Sequence, residues 1–337
     1  MKPEPISANT TGHWGVLLLA HGAPDQLEDI PEFLRNVREG RPLPEVAVKE
    51  IVRRYSLIGG GSPLLRLTTL QAEALAAMIA QPVCVGMRNW KPFIREAVRR
   101  LSKENVQRVV AVCLAPQNSR TSIGLYRKYL LDAIAQARTG WVLDFVESWH
   151  DHPGLIEAFR DRVETALLAA REEAGGPVPV IFTAHSVPER TIAEGDPYER
   201  QVQETAALVA KAAGVSEYRL AFQSQGMTAE RWIGPTVESQ IDEVADAGGT
   251  NVLLVPIGFV SDHVEILYDI DILFRDYGKV RGVGVRRSES LNDSPKFIAA
   301  LASLVAARIK QGSGVGHQMA DSGPLAPDTS DPQLYEL

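Results

Sequence analysis

Short apolar runs alternate with longer amphipathic segments along the chain, and this alternation constrains the fold more than any other feature. Parallel strands joined by crossover helices produce the pattern, and β-branched apolar runs are typical of strands covered on both faces. The last helical pattern, 294–310, has Ser294 and Pro295 placed as cap and first-turn proline. The sequence therefore predicts a doubly wound α/β fold with strands at 14–20, 82–87, 108–115, 142–148, 179–184, 219–224, 251–259 and 282–287.

A short internal echo suggests that the chain has two related halves. The residues AHGAP at 20–24 end the first predicted strand, and AHSVP at 184–188 ends a later one. This similarity favours two similar Rossmann-like halves, each a parallel sheet flanked by helices, although so short a match also arises by chance. The predicted organisation is a flexible N-terminus (1–13), an N-terminal half (14–150), a C-terminal half (151–310) and a disordered, Gly/Ser/Pro-rich tail (311–337).

Charge, cysteine content and hydropathy exclude several classes of protein. A formal net charge of -7 gives no attraction for phosphate backbones, so no nucleic-acid partner is expected. Cys84 and Cys113 lie in apolar runs, which predicts buried thiols, and two thiolates cannot supply the ligands of an iron–sulfur cluster. Neither a signal-peptide core nor an apolar run of membrane-spanning length occurs, so a cytoplasmic protein is expected.

Two histidines lie where the predicted strands end. His21 follows the first strand and His185 follows the fifth. Ligands bind beyond the carboxyl ends of parallel strands, which favours a functional role for both side chains. The alternative for each is an imidazole that simply hydrogen-bonds a strand-end carbonyl.

Segment 258–271 is the richest in chemistry-bearing residues. Ser261 or Asp262 can cap the helix that follows the strand. Three carboxylates at helical spacing then share one face, which would otherwise be a solvated acidic surface: Asp262, Glu265 and Asp269. An imidazole such as that of His185 and a carboxylate such as that of Glu265 form a mixed nitrogen and oxygen site acceptable to ferrous iron, and both accept protons near neutral pH.

A second group of polar side chains lies in the N-terminal half. Guanidinium groups suit carboxylate ligands because they form bidentate hydrogen bonds, although solvated arginines are the plain alternative. The group consists of Arg38, Arg41, Arg53, Arg54, Tyr55 and Ser62.

Several motifs together resemble those of the ferrochelatase family, from residue 14 to about residue 309. The most specific are FTAHSVPERTIAEGDPY at 182–198, which is similar to the family's histidine motif, and FVSDHVEILYDID at 259–271, which is similar to its glutamate motif. RYSLIGGGSPL at 54–64 and LAPQNSRTSIGLY at 114–126 support them. The resemblance implies a chelatase-like fold and a lyase that inserts ferrous iron into a porphyrin with release of two protons.

The same resemblance implies roles for individual residues. His185 and Glu265 would bind ferrous iron and accept the pyrrole protons, with iron as a substrate and no tightly bound cofactor. The N-terminal motifs are more similar to the coproporphyrin-using branch, which implies conversion of coproporphyrin III to coprohaem by a monomer that could pass it to a downstream haem-pathway enzyme. The implied tetrapyrrole-binding residues are His21, Arg38, Arg54, Tyr55, Ser62 and Tyr126.

The chain departs from that branch at two positions. His21 stands where tyrosine is usual, which makes it a candidate axial contact to product iron, and Leu273 stands where relatives often have an acid, which leaves Asp269 as the accessory metal contact. The alternatives are a protoporphyrin IX ferrochelatase, an iron or cobalt chelatase for sirohydrochlorin, and a non-enzymatic haem or porphyrin carrier that uses the histidines only as axial ligands.

Overall fold

The computed structural model describes residues 13–226 and 230–314, and its N-terminal half is built on a four-stranded parallel sheet. The strands are β1 (Trp14–Ala20), β2 (Val83–Met87), β3 (Arg108–Cys113) and β4 (Val142–Val146), in the order β2-β1-β3-β4. The helices are α1 (Ile30–Val37), α2 (Glu45–Leu57), α3 (Leu64–Ile79), α4 (Ile94–Leu101), α5 (Ile123–Ala137) and α6 (Pro153–Ala174), and a 3-10 turn at Leu27–Asp29 precedes α1.

The C-terminal half repeats this arrangement. Its strands are β5 (Val180–His185), β6 (Arg219–Gln223), β7 (Asn251–Pro256) and β8 (Gly284–Arg287), all parallel, in the order β6-β5-β7-β8. Its helices are α7 (Glu189–Ala193), α8 (Tyr198–Ala212), α9 (Val237–Asp246), α10 (Val264–Leu267), α11 (Arg275–Val280) and α12 (Pro295–Gly314), with a π-helical segment at Asp269–Phe274 between α10 and α11.

Strand β1 illustrates why the apolar runs form strands that are buried on both faces of the sheet. All of its residues are buried, and alternate side chains point to opposite faces of the sheet. Leu17 and Leu19 pack in the cluster that includes α4 and α5, whereas Val16 and Leu18 join a larger cluster that contains residues of both halves. A truncation such as Leu18→Ala is expected to cost about 2–5 kcal/mol, because the cavity it leaves lies inside a close-packed core.

The helix that follows each sheet packs on elements of the other sheet's half. Helix α6 follows β4 and packs on α8 and β7, whereas α12 follows β8 and packs on α3 and β3. These two helices also pack on each other, and a Cβ on Gly154 would lie 2.8 Å from Cβ of Ala300. Trp149 stacks on Phe297 at a centroid distance of 6.1 Å. The halves therefore share one hydrophobic core, which fixes the two sheets relative to each other.

The structure confirms the predicted fold class. All eight predicted strands are present, the two halves have the same strand order, and Pro295 is the first residue of α12. The predicted terminal segments 1–13 and 311–337 lie almost wholly outside the described residues, and α12 continues to Gly314, inside the second of them. No described helix is long and apolar enough to cross a membrane.

Candidate active site

A cleft at the carboxyl ends of both sheets brings the two strand-end histidines together. Its cavity of about 240 Å³ is lined by His21, which follows β1, His185 from β5 and Glu265 from α10. This placement follows from topology, because the strands of each sheet are parallel and their carboxyl ends lie together at one edge of that sheet. The predicted pair of His185 and Glu265 therefore shares one site.

His185 and Glu265 face each other through their acceptor atoms. The Nε2 atom of His185 lies 3.5 Å from Oε2 of Glu265. The other ring nitrogen, Nδ1, contacts the carbonyl oxygen of Ser186, and since a carbonyl only accepts, Nδ1 is the donor. Tyr198 Oη donates to the backbone carbonyl of His185 at 2.9 Å and holds the strand end. The pair thus presents one nitrogen and one oxygen acceptor to a shared proton or metal ion.

Glu265 is ionised despite its burial. Burial by itself raises the pKa of the carboxyl, but the nearby imidazoles of His185 and His263 lower it, and the net effect is a pKa of about 2. Gln223 Nε2 donates to the backbone carbonyl of Glu265 at 2.8 Å, which anchors α10 to the end of β6. The site therefore holds a fixed negative charge throughout the physiological pH range.

His263 is a third histidine of this site, and it lies in segment 258–271, which the sequence favoured as functional. Its Nε2 lies 3.8 Å from Oε2 of Glu265, and its Nδ1 is 3.0 Å from the carbonyl oxygen of Ser261. Burial lowers the pKa of His263, but Glu265, together with the Ser261 carbonyl and Asp262, raises it, and the net shift is upward. Its spacing of two residues from Glu265, at the N-cap of α10, is the sequence signal that could have identified it.

The helical spacing predicted that Asp262 shares a face with Glu265 and Asp269, but it does not. It accepts hydrogen bonds from Arg287, Ser290 and Asn292, because the half-buried guanidinium of Arg287 needs a carboxylate partner. Neither Ser261 nor Asp262 caps the helix, which begins at Val264. The predicted row of three carboxylates is therefore wrong, and two of them remain at the site.

Asp269 lines a second, smaller cavity next to His185 and Glu265. This cavity has a volume of about 60 Å³, and His185 and Glu265 line it as well. Asp269 is buried and accepts a hydrogen bond from Ser224 Oγ at 2.5 Å. Burial raises its pKa to about 6, with Glu265 adding to the rise and Ser224 opposing it. Leu273, in the same π-helical segment, is 41% exposed and lines neither cavity.

Both ring nitrogens of His21 already have partners. Nδ1 lies 2.9 Å from the carbonyl oxygen of Gly22, and Nε2 lies 2.9 Å from Nδ2 of Asn89. Gly22 adopts a φ of +85°, and a Cβ there would lie 2.7 Å from the Trp90 backbone nitrogen, so the turn after His21 requires glycine. Burial, with a contribution from Arg88, lowers the pKa of His21 to about 4. The imidazole is therefore neutral near pH 7.

The predicted tetrapyrrole-binding residues lie in different places. Tyr126 lines the larger cavity, with the Arg88 guanidinium over its ring, whereas Arg54 and Tyr55 line the smaller one. Arg54 lies over the ring of Tyr268, across the boundary between the halves. Two further predicted residues line neither cavity: Arg38 ends α1, and Ser62 is buried and accepts a hydrogen bond from the Leu64 backbone at the start of α3.

His185 and Glu265 have ionisable neighbours, but the described side chains form no closed metal cage. Across residues 13–226 and 230–314, no group of three or more His, Cys, Asp or Glu side chains is arranged to hold a metal ion. Cys84 and Cys113 are buried free thiols, as predicted.

The fold is that of the chelatases. It is similar to SirB from Bacillus subtilis, solved with Fe3+, at a TM-score of 0.56 and 14% identity over 90% of this chain and 98% of that one. The profile of the family described as Ferrochelatase matches residues 13–309. The chain therefore belongs to the ferrochelatase family, and it is a lyase that inserts metal into a porphyrin.

Individual relatives agree with this assignment. A ferrochelatase of Acidobacterium capsulatum is 47% identical over 86% of this chain and 92% of its own length. One from Deinococcus radiodurans is 38% identical over 86% and 94%. A coproporphyrin III ferrochelatase of Geobacillus sp. is 36% identical over 88% and 98%. The relatives thus share the family and differ in whether their names specify the porphyrin.

Proposed function

We propose that this ferrochelatase inserts ferrous iron into coproporphyrin III, giving coprohaem in haem biosynthesis, and that His185 and Glu265 carry out the insertion. The observation that carries the proposal is the 3.5 Å approach of His185 Nε2 to Glu265 Oε2 in the wall of the larger cavity. Support for the tetrapyrrole comes from the Geobacillus enzyme, whose name specifies coproporphyrin III. The A. capsulatum relative, although more similar, is named only as a ferrochelatase.

The reaction needs a metal contact and two proton acceptors in one place. Ferrous iron enters the ring as two pyrrole N–H bonds break, and both protons leave on protein groups or water. The Nε2 atom of an imidazole and an ionised carboxylate suit both tasks. Because Glu265 carries a negative charge at neutral pH, it can attract the cation.

Distortion of the porphyrin ring is proposed to assist metal insertion. A flat macrocycle points its nitrogen lone pairs inward, with the N–H hydrogens in the way, whereas a bent one exposes lone pairs on one face. Binding energy from the ring periphery offsets the cost of bending. Coproporphyrin has more propionates than protoporphyrin, and the arginine and hydroxyl groups of the N-terminal half are their proposed partners: Arg38, Arg54, Tyr55, Ser62 and Tyr126.

Iron is proposed to reach the pair through the smaller cavity. Asp269 lies there beside His185 and Glu265, and its carboxyl oxygen can hold the ion before transfer. In this arrangement Asp269 is the accessory metal contact, and no acid is needed at position 273, where this chain has leucine. His21 is proposed to contact product iron only when its imidazole leaves Asn89. The enzyme is proposed to act as a cytoplasmic monomer that passes its product to a downstream enzyme.

The test is a steady-state comparison of iron insertion into coproporphyrin III, protoporphyrin IX and sirohydrochlorin by the full chain. The proposal expects the highest kcat/KM with coproporphyrin III, by about tenfold or more, since each lost charged hydrogen bond is worth about 1.5–3 kcal/mol. A higher value with either other ring would overturn the tetrapyrrole assignment. Binding of all three without insertion into any would instead indicate a carrier.

A further inference from the structure

The loop after β2 is joined to the end of β1 beside His21. The backbone nitrogen of Arg88 donates to the Ala20 carbonyl at 3.0 Å, and that of Asn89 donates to the His21 carbonyl at 2.9 Å. Asn89 is only 4% exposed. Asn36 Nδ2 donates to the Asn89 carbonyl at 3.1 Å, so Asn89 is held from both sides. This backbone position places its side chain against the imidazole of His21.

The Asn89 amide has one orientation consistent with its partners. Its Oδ1 accepts a hydrogen bond from Arg88 Nε at 3.2 Å, and because that nitrogen only donates, the oxygen must face it. The NH2 group then faces Nε2 of His21, at 2.9 Å. Since Nδ1 of His21 donates to the Gly22 carbonyl, Nε2 has the lone pair that accepts from Asn89. The network therefore fixes both the tautomer and the direction of the imidazole.

Among the residues that the structure describes, the equivalent histidine of the other half has no amide donor at Nε2. His185 also directs Nδ1 at the next residue's carbonyl, but its Nε2 faces the Glu265 carboxylate, an acceptor that leaves the lone pair available. The difference between the two sites thus lies in the group that faces Nε2. At His21 that group is a buried amide donor.

We propose that Asn89 is a positioning residue that occupies the Nε2 lone pair of His21 and thereby limits how strongly His21 ligates the iron of the product. The inference rests on the proposed function, because product iron must lie within reach of His21. Ligation then requires the Asn89 hydrogen bond to break, which leaves a buried amide without its partner. The exchange weakens the axial bond and favours release of the iron porphyrin.

The experiment adds preformed ferric coproporphyrin III, and haem in parallel, to the wild type, Asn89→Leu, His21→Phe and the double variant. Absorption and resonance Raman spectra report the axial ligand, and titration gives the Kd. Leucine has a similar shape to asparagine but no hydrogen-bond donor. Asn89→Leu should therefore increase the fraction of product iron that is ligated by histidine. It should also bind the product about tenfold more tightly, because the hydrogen bond that competes with ligation is lost. In the His21→Phe background the same change should have no effect on the spectrum.

Two results would overturn the proposal. One is that Asn89→Leu has the same spectrum and Kd as the wild type. The other is that Asn89→Leu changes the spectrum and Kd equally in the presence and in the absence of His21. Asn89→Ser, which is too short to reach Nε2, repeats the test if the leucine variant does not fold. Failure of the proposed function is separable: binding of neither iron porphyrin contradicts both proposals, whereas tight binding that is insensitive to Asn89 contradicts this one alone.

Discussion

His21 and His185 lie at matching strand ends of two similar halves, yet their surroundings differ. Each directs Nδ1 at the carbonyl of the next residue. At His185 the other nitrogen faces a carboxylate 3.5 Å away, and the side chain is 36% exposed to the cleft. At His21 it accepts from Asn89, and burial keeps the imidazole neutral. One repeated motif therefore gives an imidazole whose Nε2 faces a carboxylate in the C-terminal half and one whose Nε2 accepts a hydrogen bond in the N-terminal half.

The difference comes from the segment that follows a neighbouring strand in each half. After β2 the chain supplies Arg88 and Asn89, which donate, and after β7 it supplies His263 and Glu265, of which the carboxylate accepts. A repeated strand-end histidine thus acquires its chemistry from a residue distant in sequence.

Replacing the acceptor opposite His185 should have the largest effect. Glu265→Gln removes the negative charge and the proton acceptor but keeps the shape, so iron insertion should fall by about 10²–10⁴-fold. Porphyrin binding, measured by fluorescence quenching, should stay close to that of the wild type. Insertion at a normal rate would remove Glu265 from the reaction.

Asp269 should affect metal use rather than ring binding. Asp269→Asn is expected to raise the KM for Fe2+ about tenfold with little change in the KM for porphyrin, because only the carboxylate attracts the cation. The pKa of Asp269 is raised to about 6, so its charge appears as pH rises through that value. The wild-type kcat/KM for Fe2+ should rise through about pH 6, and the variant should lack that increase. Identical pH profiles would contradict this role.

His21 should make the fold sensitive to acid. Its pKa is about 4 in the folded protein against 6.5 for the free side chain, so the unfolded chain binds the proton more tightly. The stability contribution of neutral His21 is present above pH 6.5 and is lost as pH falls towards 4. Relative to His21→Phe, the wild type should lose roughly 2 kcal/mol of unfolding free energy between pH 7 and 4. This loss is smaller than the one expected for a fully buried imidazole, because the ring borders the solvent-filled cleft.

Urea unfolding of both proteins at the two pH values measures this difference. An equal pH dependence for wild type and variant would contradict the buried neutral state of His21.

Tyr198 should have the smallest effect of this series. Tyr198→Phe removes the hydrogen bond to the His185 carbonyl and should cost about 1 kcal/mol of stability, measured by thermal unfolding. Insertion should slow by less than about tenfold, because His185 remains in place. A loss as large as that of Glu265→Gln would mean that Tyr198 itself takes part in the chemistry.

Local sequence patterns predicted the strands and the strand-end histidines because these features depend on residues close together in the chain. The packing of α12 on α3 and β3 of the N-terminal half had no such signal, since a helix's apolar face does not identify its partner. The same limit explains Asp262, whose role depends on Arg287 in β8. Asn89 likewise lies in a loop with no motif of its own. Side-chain pairs between distant segments are therefore what the sequence could not provide.

The most direct test compares His185→Ala with His21→Ala in the same assay of iron insertion into coproporphyrin III, with circular dichroism to verify folding. We predict that His185→Ala loses at least about 100-fold in kcat, since it removes a metal ligand and proton acceptor. His21→Ala should stay within about tenfold of the wild type. Equal losses, or a larger loss at His21, would contradict the assignment of the metal-handling role to His185.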